Sequence, residues 1–204
     1  MEFRVFIGSS SENRHVVNKI LKIISEIQPV GELTAVARPW YSNSVFTLGD
    51  VAIETVEREI NNIELAIFVF ADDDELVFRH NRYMCPRDNV VFEAGLFMGK
   101  LGRKKVILLT PKEGTISNGL SFKQLSDLAG LTVIPADIRD LPGGFSREVE
   151  QRLKETIVDM MNDDPRKNND PMTYKLITNE TPDPISPIKD YSKIIPKSLG
   201  GAKR

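Results

Sequence analysis

The sequence predicts an α/β fold, a flavodoxin-like three-layer sandwich with helices on both faces of a five-stranded parallel sheet. Strand-like and helix-like segments alternate along residues 1–161, which is typical of parallel sheets. Leu65–Phe70 is a continuous apolar run of strand length, as expected of a central strand that is buried on both faces. Five strands connected in this way favour the order 2-1-3-4-5.

Each predicted element rests on its own pattern of apolar residues. Short apolar runs predict strands at Phe3–Ile7, Leu33–Ala37, Leu65–Phe70, Val106–Leu109 and Leu131–Ile134. Apolar residues at helical spacing predict amphipathic helices at Ser11–Ile27, Gly49–Asn61 and Ser146–Met161. Val90–Leu101 predicts a further helix, which is apolar on nearly every side and is therefore expected to be buried. A long polar loop is expected from Asp72 to Asp88.

Length and composition divide the chain and exclude several classes of protein. The chain has 204 residues, which fits a domain at 1–161 and a proline-rich linker or tail at 162–204. A net charge of −2 gives no reason to expect direct nucleic-acid binding. The single cysteine, Cys85, rules out an internal disulfide and suits a reducing cytoplasm. We expect no signal peptide, no membrane span and no metal site, and we interpret His15 and His80 as surface residues.

Glu93 is an acidic residue in the middle of the apolar helix Val90–Leu101. A buried carboxylate without a partner is costly and tends to have a raised pKa, which makes Glu93 a candidate for function. A structural alternative is an ion pair with Lys100 or Arg87. The expected strand order supports the functional reading, because the loop before this helix opens at the switch point of the sheet. Gly95 and Gly99 are expected to let the helix approach the sheet closely.

Three other features have both a functional and a structural reading. The loop Gly8–Ser11 joins a strand to a helix, where backbone N–H groups bind phosphate well, but simple helix capping also explains its serines. Trp40 is the only tryptophan, and it is either a stacking face for a heterocycle or a loop anchor. The acidic run Asp72–Glu75 could attract a cation, although a solvated loop is the favoured interpretation.

Five segments together resemble one family. They are Phe6–Glu12, Trp40–Asp50, Asp72–Asp73, Arg87–Arg103 and Ser126–Gly130. In type and order they are similar to the bacterial TIR-like domain of anti-phage effectors, such as TIR–STING and Pycsar TIR effectors. The resemblance covers residues 1 to about 160, and Arg87–Glu93 is its most specific part.

The resemblance implies an NAD+ glycohydrolase with Glu93 as the catalytic residue, and NAD+ as substrate without a further cofactor. The predicted nucleotide-binding residues are Gly8, Ser9, Ser10, Trp40, Asp73, Arg87 and Asn89. Tyr41–Asp50 corresponds to the loop that governs self-assembly in TIR domains. A cyclic-nucleotide-sensing domain or partner is also implied, because members of the family usually carry one.

One carboxylate is chemically sufficient for this reaction. The nicotinamide of NAD+ is already cationic and leaves as a neutral molecule, so the second carboxylate of ordinary glycosidases is not needed. An ionised Glu93, kept charged by Arg87 or Asn89, would stabilise the oxocarbenium-like ribose. Two alternatives stay open: a nucleoside deoxyribosyltransferase-like enzyme with a glutamate nucleophile, and a non-catalytic TIR scaffold that acts by assembly alone.

Overall fold

The computed structural model describes residues 1–42, 52–112, 116, 119–123, 130–138 and 145–168, with the backbone alone at 52–55. The predicted assembly loop therefore lies outside the described residues except for Tyr41 and Ser42. Residues 126–129 of the segment that ends at Gly130 and residues 169–204 of the predicted tail also lie outside them.

A five-stranded parallel sheet forms the centre of the described domain. Its strands are β1 (Glu2–Gly8), β2 (Thr34–Pro39), β3 (Leu65–Val69), β6 (Val106–Pro111) and β8 (Thr132–Ala136), in the order β2-β1-β3-β6-β8. Numbered within this sheet alone, the order is 2-1-3-4-5, which confirms the prediction. β3 is buried along its whole length, as its continuous apolar sequence indicated.

Four helices cover the two faces of the sheet. They are α1 (Arg14–Ser25), α2 (Ala52–Ile60), α3 (Asp88–Leu101) and α4 (Arg147–Asp163). Side chains alternate across a strand, so Ile67 and Val69 pack with α1 and α4, while Ala66 and Phe68 pack with α2 and α3. This alternation gives two separate apolar clusters and confirms the three-layer arrangement.

A β-hairpin occupies the segment predicted to be a long loop, and this prediction was wrong. β4 (Asp74–Phe78) and β5 (Asn81–Cys85) pair antiparallel, and the short strand β7 (Ser121–Phe122) pairs parallel with β5. The turn residues Arg79 and His80 have φ angles of 49° and 67°. Turns of this shape usually contain Asn-Gly or Asp-Gly, and the absence of such a pair concealed the hairpin in the sequence.

Helix α3 is buried on one side only, contrary to the prediction that it is buried all round. Val90, Ala94 and Phe97 face the core, whereas Phe92 keeps 54% of its surface exposed. Gly95 and Gly99 do not mediate close packing, because a Cβ atom at either position would meet no atom within 4 Å. Only one narrow stripe of α3 packs against the sheet. The apolar composition of the helix therefore led to an overestimate of how much of its surface is buried.

The chain remains attached to the domain beyond α4. This helix extends two residues past the predicted end at Met161, and a 3₁₀ turn follows at Pro165–Asn168. The Lys167 carbonyl accepts a hydrogen bond from the Glu32 amide at 2.9 Å. Arg166 donates hydrogen bonds to both Asp164 and Glu64. These contacts hold the turn against the start of β3.

Candidate functional site

The loops after β1 and β3 open at the same edge of the central sheet. The two strands are neighbours, with Gly8 opposite Phe68, so the serines after Gly8 and the aspartates after β3 leave the sheet side by side. Carboxyl ends of adjacent parallel strands at a switch point are the usual ligand site in such folds. Most of the predicted site residues lie in or next to these two loops.

Glu93 is half-buried one turn into α3. It makes no hydrogen bond or ion pair within the described part of the chain, so the structural alternative of an ion pair with Lys100 or Arg87 is not observed there. Burial raises its pKa from an ordinary 4.5 to about 7, because desolvation disfavours the charged form. The expectation of an unpartnered carboxylate with a raised pKa is confirmed.

Arg87 binds other acids and does not pair with Glu93. Its guanidinium donates to Glu12 at 3.2 Å and to Asp74 at 3.4 Å. The expectation that Arg87 or Asn89 keeps Glu93 charged is therefore wrong for this arrangement, since burial alone sets the Glu93 pKa. Asn89 is exposed in the first turn of α3, and its backbone amide donates to Asp88.

Ser9 and Ser10 are buried, and both hydroxyls are engaged within the protein. The Ser9 hydroxyl donates to the Ser10 carbonyl at 2.9 Å and accepts from the Trp40 indole at 3.0 Å. The Ser10 hydroxyl accepts from the Asn13 amide at 2.6 Å. Neither serine hydroxyl caps a helix. Their hydrogen bonds instead shape the loop, and they join it to Trp40 on the neighbouring strand connection.

Asn13 is a site residue that the sequence reasoning missed. It is only 6% exposed, and its side-chain amide also donates to Asp73 at 2.7 Å. One residue therefore connects the loop after β1 with the loop after β3. A buried asparagine is hydrogen-bonded almost without exception, but its position on a helix gave no sign of which loops it would join.

Asp72 and Asp73 are not the solvated acids that the sequence favoured. Asp72 is 6% exposed, and burial raises the pKa of Asp73 while hydrogen bonds from Asn13 and Ser10 and the nearby charge of Arg87 oppose the rise. The second oxygen of Asp73 is buried and has no hydrogen-bond partner among the described residues. In those residues no group of acidic, histidine or cysteine side chains is arranged to hold a metal ion.

Trp40 is held from several sides. In addition to its bond with Ser9, its ring contacts Tyr41 edge to face, and the Arg14 guanidinium lies 5.5 Å from the ring centre. Trp40 also packs against the apolar cluster that contains Val90 and Ala94 of α3. The interpretation of Trp40 as a loop anchor therefore has a structural basis.

Gly8 has a packing role in addition to its predicted nucleotide contact. A Cβ atom at this position would overlap the ring of Phe68 on the neighbouring strand. Glycine is therefore required for β1 and β3 to approach each other here. The structure brings Gly8, Ser9, Ser10, Trp40, Asp73 and Arg87 together around two loops, with Glu93 on the adjoining helix.

A five-stranded parallel sheet of this order, with the candidate site residues gathered at its switch point, defines a flavodoxin-like α/β domain. The chain belongs to the family described as "CAP12/Pycsar effector protein, TIR domain", whose sequence model matches residues 4–138. This membership agrees with the resemblance seen in the sequence.

Three curated relatives illustrate the match. The chain is 37% identical over 134 residues to "Pycsar effector protein BcPycTIR" of Burkholderia cepacia, covering 66% of this chain and 40% of the relative. It is 36% identical to "Pycsar effector protein XpPycTIR" of Xanthomonas perforans, covering 65% and 39%. It is 32% identical to "CD-NTase-associated protein 12" of Niabella drilacis, covering 68% and 45%. The matched regions are therefore less than half of each relative.

Proposed function

We propose that this domain is an NAD+ glycohydrolase that cleaves NAD+ to nicotinamide and ADP-ribose or a cyclic form. The observation that carries the proposal is Glu93, a half-buried carboxylate without a partner whose pKa is raised to about 7. Keeping such a group costs stability, and it lies in the segment that most specifically resembles NAD+-cleaving TIR domains. A structural role accounts for it poorly, because nothing described in the domain pairs with it.

The raised pKa suits a site that receives a cation. With a pKa of about 7, Glu93 is only partly ionised at neutral pH in the free protein. The nicotinamide ring of NAD+ is positively charged, and a nearby positive charge favours the carboxylate form. Substrate binding would therefore complete the ionisation, and the carboxylate would stabilise the oxocarbenium-like ribose as neutral nicotinamide leaves.

The loop network would hold the rest of the dinucleotide. Since the Ser9 and Ser10 hydroxyls already have partners within the protein, a phosphate at this loop would be bound by the backbone N–H groups after Gly8. Trp40 would contact a heterocycle, and Arg87 and Asn89 at the start of α3 would add polar contacts. Asp73, whose second oxygen is free and buried, could accept a hydrogen bond from a ribose hydroxyl.

The proposed setting is anti-phage defence by NAD+ depletion in the cytoplasm. Relatives are named Pycsar effectors and CD-NTase-associated proteins, which supports activation by a cyclic-nucleotide-sensing domain or partner. Self-association through Tyr41–Asp50 would switch the enzyme on. Within the described ranges no helix is long and apolar enough to cross a membrane.

The decisive experiment compares NAD+ cleavage by the wild type, Glu93→Gln and the control Glu148→Gln, with products separated by chromatography. Glu93→Gln keeps the shape of the side chain and removes its charge, so nicotinamide release should fall at least about 100-fold. Glu148 is exposed on α4, and its variant should retain wild-type turnover. Near-normal cleavage by folded Glu93→Gln would refute the assignment.

The same assay separates the two alternatives. A deoxyribosyltransferase-like enzyme would exchange bases on free nucleosides and leave NAD+ intact. A scaffold would leave both substrates intact under conditions where the protein is assembled. Nucleosides and NAD+ should therefore be tested side by side, at several protein concentrations.

A further inference from the structure

Strand β4 presents an open edge. It is the outer strand of the small sheet, whose order is β4-β5-β7, and its outer side pairs with no strand in the described part of the chain. Leu76, Val77 and Phe78 are 37%, 67% and 41% exposed. An exposed apolar edge strand is a template for pairing with another strand.

The apolar half of β4, Leu76–Phe78, lacks most of the usual protections of an edge strand. Natural edges are short, carry charged residues or a proline, contain a bulge, or are covered by another element. β4 is short and begins with two acids, but its remaining three residues are apolar. β4 reads Asp-Glu-Leu-Val-Phe and pairs with β5 residue by residue without a bulge. The hairpin closes through the two residues Arg79 and His80, so the regular edge continues to its tip. An unprotected edge of this kind favours a strand partner.

The hairpin register determines which backbone groups face outward. Phe78 and Asn81 flank the two-residue turn and form a hydrogen-bonded pair, and hydrogen-bonded positions then alternate along β4. Leu76 therefore bonds to β5, while the N–H and C=O groups of Glu75 and Val77 point away from it. These outward groups bind no other strand among the described residues, so they can pair with a second strand.

We infer that the partner is a second copy of this chain, paired antiparallel through β4 and centred on Val77. In this register Val77 lies opposite Val77 of the second copy and exchanges two backbone hydrogen bonds with it. Leu76 lies opposite Phe78 of the second copy. The paired strand ends at Phe78, and just beyond it the Glu75 side chain comes level with the turn residue Arg79 of the second copy, so that an acid meets a base on each side of the apolar centre.

The side-chain pattern selects this register over the two registers that are centred nearer the start of β4. Centring the pair on Leu76 would place Glu75 opposite Val77 and Asp74 opposite Phe78. Centring it on Glu75 would place Asp74 opposite Leu76. Both alternatives set acids against apolar side chains, whereas matched apolar and opposite-charge pairs each stabilise cross-strand pairing. Glu75 already binds Arg82 of its own hairpin at 2.5 Å, and each carboxylate oxygen can accept a second hydrogen bond.

The contact is small, which makes it a concentration-dependent one. Two five-residue strands bury well below the ~1,200 Å² of a standard stable interface. Isolated copies would separate, whereas copies gathered by another interaction would pair. The surface is distinct from the predicted Tyr41–Asp50 loop, and it starts at Asp74, which binds Arg87 of the candidate site. Pairing through β4 does not depend on NAD+ cleavage.

The first test maps the register by oxidative crosslinking of the full chain. Single cysteines are introduced as Val77→Cys, Leu76→Cys, Glu75→Cys and the distant control Asp159→Cys, all with Cys85→Ser and Glu93→Gln. Opposite residues of a hydrogen-bonded pair have Cα atoms about 5.5 Å apart, a separation that a disulfide bridges. With oxidised glutathione, Val77→Cys should give crosslinked dimer at least about tenfold faster than the others. A maximum at Leu76→Cys or Glu75→Cys, or rates equal to Asp159→Cys, would overturn the inference.

The second test measures association by sedimentation velocity over a wide concentration range. Val77→Lys places two like charges face to face at the centre of the pair, and it should weaken association at least about tenfold. Thr156→Lys is the matched control, since it adds the same charge to a side chain of similar size on α4, and it should behave as the wild type. Equal effects of the two variants would overturn the inference. All proteins carry Glu93→Gln, so the result is independent of the proposed reaction.

Discussion

Glu93 connects stability with the proposed chemistry. Its pKa of about 7 lies above the ordinary 4.5, so the folded state holds a proton that the unfolded state releases. Folding therefore becomes less favourable as pH rises from about 4.5 to about 7. A shift of this size corresponds to a penalty of about 1–3 kcal/mol when Glu93 is ionised, allowing for its partial contact with water.

Glu93→Gln should therefore stabilise the domain, and the gain should grow with pH. We expect a small difference in melting temperature from wild type near pH 5 and a larger one, several degrees, near pH 8. Glu148→Gln is the control, because its carboxyl is exposed on α4 and the substitution removes no buried group. A pH-independent difference for Glu93→Gln would contradict the buried, proton-binding state of this carboxyl.

The close approach of Gly8 to the Phe68 ring leads to a second prediction at the scale of single residues. A methyl group at Gly8 would overlap the buried Phe68 ring, and Gly8→Ala should cost about 1–3 kcal/mol of stability. Gly95→Ala is the matched control, because its Cβ would enter open space. It should stabilise α3 by up to about 1 kcal/mol. Urea unfolding measures the stability of both variants. Equal changes in stability would show that the Phe68 ring can move aside without destabilising the domain.

At the scale of elements, Asn13 joins the loops that follow β1 and β3. Asn13→Ala would leave the buried Ser10 and Asp73 without their shared donor, at a cost of about 1–3 kcal/mol. Asn18→Ala removes only the exposed hydrogen bond that the Tyr41 hydroxyl donates to Asn18 on α1, so it should cost less than about 0.5 kcal/mol. Thermal unfolding compares the two. If Asn13→Ala matched Asn18→Ala, the link between the two loops would be unimportant.

The elements also show where sequence reasoning succeeds. The strand order could be predicted because β3 is apolar throughout and because strands alternate with helices. Glu93 could be singled out because a charge in an apolar helix is unusual. Both signals are local in the chain and report directly on burial.

Other features depend on contacts between distant residues. The β4–β5 hairpin has a turn of Arg79 and His80, and pairing of the flanking strands holds these residues at positive φ. Arg87 was expected beside Glu93, but the side chain turns to Glu12 and Asp74. The turn conformation and the side-chain pairing both depend on tertiary contacts, so a single sequence does not reveal them.

At the scale of the whole molecule, Arg166 anchors the segment after α4. Its guanidinium bonds to Asp164 at 2.7 and 2.9 Å and to Glu64 at 2.9 Å, and Glu64 also accepts the backbone amide of Arg4. The three side chains keep only 10–19% of their surface exposed. The network therefore joins the end of the described chain to the starts of β1 and β3.

Arg166→Gln should destabilise the domain by about 2–3 kcal/mol, because two poorly solvated carboxylates lose their shared cation. Lys154→Gln is the control, since its ion pair with Glu26 is more exposed and should contribute less than about 1 kcal/mol.

Proteolysis should report the same difference, with faster cleavage after Met161 in Arg166→Gln than in wild type. Unchanged melting and cleavage in Arg166→Gln would show that the turn at Pro165–Asn168 is held by its backbone contacts alone.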